Sequence, residues 1–577
     1  MSLFLLFIPL LFQNHLIEAS NTPRFAFCVL GILLIVGFSL IRKTKWHAPD
    51  FSLIIPLVLF VAWCFFSIIW SINPAEAIYS AQRPLLITAA LLLFYHLLER
   101  QENLIKIQEA VLFLIAICSI VVLVQTLFST ESADTYSIRF VFGHRNLLAS
   151  FILLGSLFLL FDWEQKNAGR KKLILLTLLL STTSLLLLQH RASYLALGFV
   201  GFALLFFGLK SKMNALSILK KVCFILIFIA AAFIAIYSNW HLFDPNSPDA
   251  MASMVERLQL WEKTLLLIQE SPLLGHGAGN WPTVFPKNGI EEITKSAQHN
   301  IHFLRPHNEF LQIWSELGAV GIGLLLLFFF LLLRAFISTP STSTSSMFGP
   351  ISFLGCYGIY ALLSFPSERC MHLLLLALAL AYLIHHSGIK ASIVNQNMGL
   401  KLLGAAVLIF SCLVFTTCLR GEFHARICLK AHEKQENNLV ILHGNKSKSW
   451  CFNSDRNGSP LDFYIGAAHL NQQELDKAFH CFTSVQKIAP YDHVMLSNLG
   501  FVLELVGNDE EAKAHLLEAR RINRYYQGST LNLVVLEYNN GQYESALDHL
   551  KQLKNYEILY PIYLEKINAK LGAPTQH

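Results

Sequence analysis

Between Phe25 and Cys418 the chain is a succession of apolar runs of about 15 to 20 residues broken only by short polar stretches, and beyond Arg420 such runs stop. Coiled into a helix, roughly 20 apolar residues cross the ~30 Å hydrocarbon core of a bilayer. Lipid offers no partner for backbone N–H and C=O groups, so only helices and closed barrels span it. A barrel would show alternating ten-residue pieces instead. Charged residues make up 14% of the 577, against about 25% in soluble proteins, which excludes a single soluble domain. The chain reads as an all-α, polytopic helical membrane protein with a soluble α-helical C-terminal region. Its net charge of +6 sits mostly in short loops between apolar segments and gives no reason to expect nucleic acid.

The spans run at about 25–41, 53–70, 84–98, 110–128, 147–161, 173–188, 194–209, 222–238, 317–333, 350–365, 371–384 and 402–418. A shorter first segment, 2–17, brings the count to about 12 or 13 transmembrane helices. Lys and Arg then set the direction. One set of alternate connections holds Arg42, Lys43, Lys45, Arg100, Lys106, Lys166, Arg170, Lys171, Lys172, Lys210, Lys212, Lys220, Lys221 and Arg334. The other short loops hold only Arg83, Arg139, Arg145, Arg191 and Arg369. Positive residues mark the cytoplasmic side, so the first set is inside. The long connection 239–314 and everything after Cys418 then face outward. The expected organisation is N-terminal membrane helices (1–238), an extracytoplasmic loop (239–314), C-terminal membrane helices (315–418), a polar connector (419–460) and a repeat region (461–577).

The repeat shows when the tail is shifted by 34 residues on itself. Ala478, Ala512 and Ala546 align, as do Phe482, Leu516 and Leu550; Gly466 falls on Gly500 and Gly507 on Gly541. This resembles the tetratricopeptide repeat, a helix pair in which small residues allow close approach and large apolar ones fill the gap. Such arrays offer a concave face, so a protein partner is expected for it. Cys428 and Cys451 in the connector are close enough in sequence to pair in an oxidising compartment.

Loops on a rigid scaffold carry function, and 239–314 is the longest within the membrane region. An amphipathic stretch, Met254–Ser271, places Leu258, Trp261, Leu265 and Leu266 on one face and Arg257 and Lys263 off it, as an interfacial helix would. PLLGHGAGNW (272–281) follows, a glycine turn that could also form an anion-binding nest. LRPHNEFLQIWSELGAVG (304–321) leads into the next span.

These segments resemble the O-antigen ligase and O-antigen polymerase superfamily of membrane glycosyltransferases. The resemblance extends to FGHRNLLASFILL (142–154) and LLLLQHRASYLALGFVG (185–201), and is most specific in His307, Asn308, Leu311, Glu316, Gly318 and Gly321. It implies a donor glycan on undecaprenyl pyrophosphate, an acceptor that is lipid A core, a glycan or a protein, no metal or other cofactor, and an inverting transfer on the outer face of the bacterial inner membrane. It also implies His307 as catalytic base and Arg191 and Arg257 on the pyrophosphate, with Arg305, Asn308, Arg145 and Asn146 as further substrate contacts. That division suits the chemistry. Guanidinium forks bind phosphate oxygens bidentately and stay charged, and a neutral imidazole takes a proton from a hydroxyl. Glu309, one turn on, is the other group able to accept that proton. A polysaccharide polymerase shares all of these residues. A transporter or scaffold with a repeat region is the reading from a different class, but no paired halves with mid-span charges appear.

The charge alternation makes its own prediction. A phosphatase fused after His577 should be active and a fluorescent protein fused there dark; the reverse pattern would overturn the outward tail.

Overall fold

The computed structural model describes residues 21–42, 46–128, 140–163, 166–210, 248–290, 302–337, 348–387, 392–394, 398–455, 457–553 and 559–571, with Ile8, Leu11, Leu16 and Ile293. The expected span 222–238, most of segment 2–17, the start of the long loop, Arg139 and His299 lie outside them.

The membrane part contains α1 (Asn21–Ile41), α2 (Phe51–Phe66), α3 (Pro74–Leu98), α4 (Gln101–Phe128), α5 (Arg145–Phe158), α6 (Ala168–Leu188) and α7 (Arg191–Lys210). After the interfacial α8 (Pro248–Glu270) come α9 (Glu309–Ile337), α10 (Phe348–Leu363), α11 (Cys370–His386) and α12 (Met398–Glu433). Seven of the described helices are long and apolar enough to cross a bilayer, and α5, α10 and α11 are shorter apolar helices packed among them. The protein is an all-α, multi-pass membrane protein. α5 and α11 are buried along nearly their whole length and form the centre of the bundle, with Phe151, Phe158, Phe161, Phe353 and Tyr382 filling the space between them.

Two boundaries differ from expectation. α3 starts at Pro74, not Pro84, because Asn73 caps it and proline suits the first turn, so Arg83 lies inside a helix. α12 does not end at Cys418 but continues to Glu433. At 36 residues it is about 54 Å long, well beyond the bilayer core.

The bundle has two chemically different ends. At one, Trp46–Ala48 pairs antiparallel with Ser392–Val394, His47 and His385 approach Glu99, and Arg170 meets Glu109. Among the described residues, Arg42, Arg100 and Arg170 lie at helix ends on this side. The other end collects the N-termini of α1, α3, α5, α7, α9 and α11, and the tail sits on it.

The tail runs α13 (Asn437–Ser447), α14 (Leu461–Asn471), α15 (Leu475–Ile488), α16 (His493–Leu505), α17 (Asp509–Ile522), α18 (Gln527–Asn539), α19 (Tyr543–Leu550) and α20 (Leu559–Leu571). Its second helices start at 475, 509 and 543, so each starts 34 residues after the last. Ala478, Ala512, Ala546, Leu516 and Leu550 are fully buried. A Cβ at Gly466 would press on Phe482, and one at Gly500 on Leu516, which explains why those aligned positions are glycine. The connector cysteines do not pair with each other. Cys451 lies 3.9 Å from Cys418, while Cys428 packs beside Val440 and Ala468. Cys418 and Cys428 sit on one helix ten residues apart, so only one of them can face Cys451.

α9 breaks at Gly318 (φ 65°, ψ −170°). Helical continuation would bond the amides of 319 and 320 to the carbonyls of 315 and 316. Instead Ala319 and Val320 donate to Pro272 and Leu273 (2.8 and 3.4 Å), while His276 and Gly277 donate to Ser315 and Glu316 (3.0 and 2.8 Å). The freed Leu317 carbonyl accepts from Trp63 Nε1 (2.9 Å). A Cβ on Gly318 would lie 2.0 Å from the Leu273 oxygen. Gly318→Ala should therefore lower stability by on the order of 2–4 kcal/mol and expose 272–280 to protease. A thermal midpoint and a cleavage rate like those of the wild type would show that the glycine is dispensable.

Candidate functional site

The site is built from the approach to α9. Asn308 caps this helix, its Oδ1 accepting from the Phe310 and Leu311 amides at 3.1 Å each. That role occupies its Oδ1. His307, the residue before, has φ 57°, a left-handed backbone that costs a side-chain-bearing residue about 1–3 kcal/mol. Its neighbours hold it there. Trp261 Nε1 from α8 donates to the Pro306 carbonyl (2.8 Å), and the imidazole lies against Phe365, ring centres 5.4 Å apart. Burial, with Arg257 and Arg305 beside it, pushes the imidazole down to about 4. It is therefore neutral at ordinary pH.

Glu368, in the turn between α10 and α11, is the counterion of the site. It lies 2.7 Å from Arg305 and 3.4 Å from Arg83. Burial opposes its charge, but Arg305, Arg83 and Arg369 together more than offset this and hold its carboxyl below the ordinary range. Arg305 Cζ also sits 4.0 Å over the Phe365 ring, with Arg369 5.3 Å from the same ring. One phenyl ring thus organises two guanidiniums and His307. Asn21 ties this turn to α1, donating to the Glu368 carbonyl (2.8 Å) and accepting from the Cys370 amide (3.2 Å).

The remaining arginines enter at helix starts. Arg191 opens α7 just after a tight reversal in which Gln189 is left-handed and His190 bonds Ser193, which in turn bonds Tyr360 (2.8 Å each). Arg257 on α8 is half-buried; burial and then the Arg191 charge lower its proton affinity, so these two guanidiniums act on each other directly. Arg145 opens α5 and is buried; its charge, with those of His144 and Arg257, acts on His190. Asn146 follows in that first turn, its backbone amide donated to His144 Nδ1 (3.1 Å).

Arg191, Arg257, Arg145, Arg305 and His307 therefore converge from four separate segments. The cluster adds the N-terminal dipoles of the surrounding helices, which favour anions. It is suited to a multivalent anion such as a pyrophosphate, with a neutral imidazole at its edge.

Other candidates serve structure. The glycine loop is not an anion nest. The amides of Gly277 and Gly279 go to the Glu316 carbonyl and carboxylate (2.8 Å each) and that of Ala278 to Ser67 Oγ (3.0 Å). Added Cβ atoms at 275, 277 and 279 would run into Glu316, Ser71 and Ser80. Glu309 is buried and accepts from the Ser367 amide (2.6 Å). His302 lies 3.6 Å from Asp492 of the tail.

Sequence reasoning missed Arg83, Phe365, Glu368 and Arg369 as site residues. One signal was present. The cations of the sparsely charged set of loops are all arginine, with no lysine among them.

Residues 176–326, which hold Arg191, Arg257, Arg305 and His307, match the family described as O-Antigen ligase. A 75-residue stretch is 31% identical to an uncharacterized protein of Haemophilus influenzae, covering 13% of this chain and 18% of that protein.

Glu368→Gln removes one partner of a buried ion cluster and leaves Arg83 and Arg305 facing each other. The expected cost is roughly 3–5 kcal/mol, read as a drop of several degrees in thermal midpoint. An unchanged midpoint would mean that other groups already compensate the two arginines.

Proposed function

We propose that this protein is a membrane glycosyltransferase of the O-antigen ligase type, in the bacterial inner membrane with the arginine site and tail on the periplasmic side. It moves a glycan from undecaprenyl pyrophosphate to an acceptor hydroxyl, that of lipid A core or of a protein. A polysaccharide polymerase differs only in the acceptor. The observation that carries the proposal is the meeting of Arg191, Arg257 and His307, three residues from separate parts of the ligase-like sequence, around one site.

In this reading the undecaprenyl chain stays in lipid while its pyrophosphate enters among the guanidiniums. His307 takes the proton of the acceptor hydroxyl as that oxygen attacks the sugar C1 from the side opposite the pyrophosphate. The C1–O bond breaks, its electron pair leaves on the pyrophosphate, and Arg191 and Arg257 stabilise the growing charge. The configuration at C1 inverts. Protein and membrane act without a metal or organic cofactor. The tail, as a tetratricopeptide-like array, would receive a protein partner.

The low proton affinity of His307 fits this sequence of events. In the free enzyme burial disfavours a charged imidazole most, and the arginines beside it add to this by repulsion. A bound pyrophosphate offsets them and raises the imidazole toward neutrality, where a base is most effective.

Transfer by the purified protein tests the proposal. His307→Ala should lose on the order of 10²–10⁴ in rate with donor binding retained. Arg191→Ala should lose donor binding and transfer, and Arg191→Lys should restore only part, since the fork is gone. The acid limb of kcat/KM, which reports free enzyme, should lie near pH 4, and that of kcat at higher pH. Near-normal transfer by His307→Ala would remove it as the base.

A further inference from the structure

α12 leaves the membrane with one unpartnered face. Leu402, Ala406, Ile409, Leu413, Thr416, Arg420 and Phe423 recur every three or four residues, and all are exposed. The stripe is apolar up to Leu413 and turns polar at Thr416. At that height it opens into a cavity of about 590 Å³ between α12 and α13, whose lining includes Thr417, Arg420, Asn438, Asn445 and Lys446. No Asp or Glu lines it. Lys448 on its rim is paired with Asp462, but Arg420 and Lys446 meet no carboxylate among the described residues. Beside it the exposed Trp450 packs on Phe410 of α12, ring centres 5.8 Å apart. Tryptophans of this kind sit at the level of lipid head groups. The cavity is thus basic, lies at the bilayer surface and continues into an apolar track of roughly 16 Å, about half the depth of the hydrocarbon core.

We propose that this cavity binds the phosphate head group of an anionic membrane phospholipid, with Arg420 and Lys446 on the phosphate and an acyl chain laid along Leu413, Ile409 and Leu402. The asparagine side chains give the head group further hydrogen-bonding partners. A soluble phosphate compound would use the cations but leave the apolar track idle, which is why a lipid is the fitting occupant. The site is formed by α12 and α13 and includes none of the arginines around His307, so it stands whether or not the transfer reaction is as proposed. A lipid there would bind both the membrane helix and the first tail helix and so brace the joint between them.

Native mass spectrometry of the full-length protein in detergent, titrated with phosphatidylglycerol, phosphatidylcholine or glycerol 3-phosphate, tests this. The wild type should hold phosphatidylglycerol on the order of thirtyfold tighter than phosphatidylcholine, from two surface cations. The pair Arg420→Glu and Lys446→Glu should erase that preference. If that protein does not stay monodisperse, Arg420→Gln with Lys446→Gln should erase it likewise. Ile409→Asn with Leu413→Asn should weaken phosphatidylglycerol while keeping the preference for its charge. A preference that survives loss of both cations would overturn the proposal. So would glycerol 3-phosphate competing as well as the lipid, which would make this a soluble-phosphate site.

Discussion

The exchange of backbone hydrogen bonds at Gly318 holds the rest of the site in place. A helix break normally strands amides and carbonyls, and inside a membrane protein stranded groups are costly. Here the loop 272–277 supplies two acceptors and two donors in the register that the break leaves open, and Trp63 takes the next carbonyl. The glycine loop is thereby stitched to α9, and α8 just before it is fixed relative to α9. That relation sets Trp261 under Pro306, and Pro306 holds His307 in its left-handed turn. The Glu-x-Gly portion of the motif thus acts at a distance from the chemistry. It fixes the frame in which a histidine and an arginine from two different helices face one another.

Charge at the site is balanced unevenly. Six helices present their N-termini at this end, and arginines from most of them crowd the same volume. Without a compensating group such a cluster would favour opening. Glu368 supplies compensation for Arg83 and Arg305, and Phe365 spreads a π surface under Arg305 and Arg369. Arg191 and Arg257 lie close enough for their charges to act on each other: burial first, and then the Arg191 charge, lower the proton affinity of Arg257, while Glu256 opposes them.

Much of the membrane fold was legible because spans are long apolar runs, a signal local to each helix. The start of α3 was misplaced by ten residues even though Asn73-Pro74 is a helix-start pair. The run of hydropathy begins later than the helix, and hydropathy was followed. His307, Arg191 and Arg257 were legible only through their resemblance to a family, since nothing in local spacing brings 191, 257 and 307 together. Glu368 was invisible for the same reason: its partners lie 63 and 285 residues away in sequence. The glycine loop reads equally as turn or anion nest, because left-handed glycines look alike whether their amides face a phosphate or a protein carbonyl. Only the partners of those amides decide, and here they are Glu316 and Ser67. Whether Cys428 meets Cys451 turned on helix register, which the polar composition between 420 and 433 does not show.

The tail is joined to the same loop that carries the site. The Ile290 amide donates to the Ile522 carbonyl (2.9 Å), and Arg521 reaches the Lys287 carbonyl (3.0 Å). His302 lies by Asp492, and Lys287 is 5.9 Å from the Tyr491 ring. Asn73, the cap of α3, bonds Asn453 of the connector (2.9 Å). These contacts bracket the loop on both sides of its undescribed middle, so α16 and α17 fix both the segment after α8 and the segment leading to Arg305 and His307. Two residues separate His302 from Arg305. Among the described residues the Ile290–Ile522 bond is buried and the Arg521 and Lys287 contacts are exposed, and each is worth about 1 kcal/mol. The turn is braced by Trp261, Phe365 and the Asn308 cap. The segment that carries Arg305 and His307 is thus held from two directions, by the tail at His302 and by α8 and Phe365 at the turn itself.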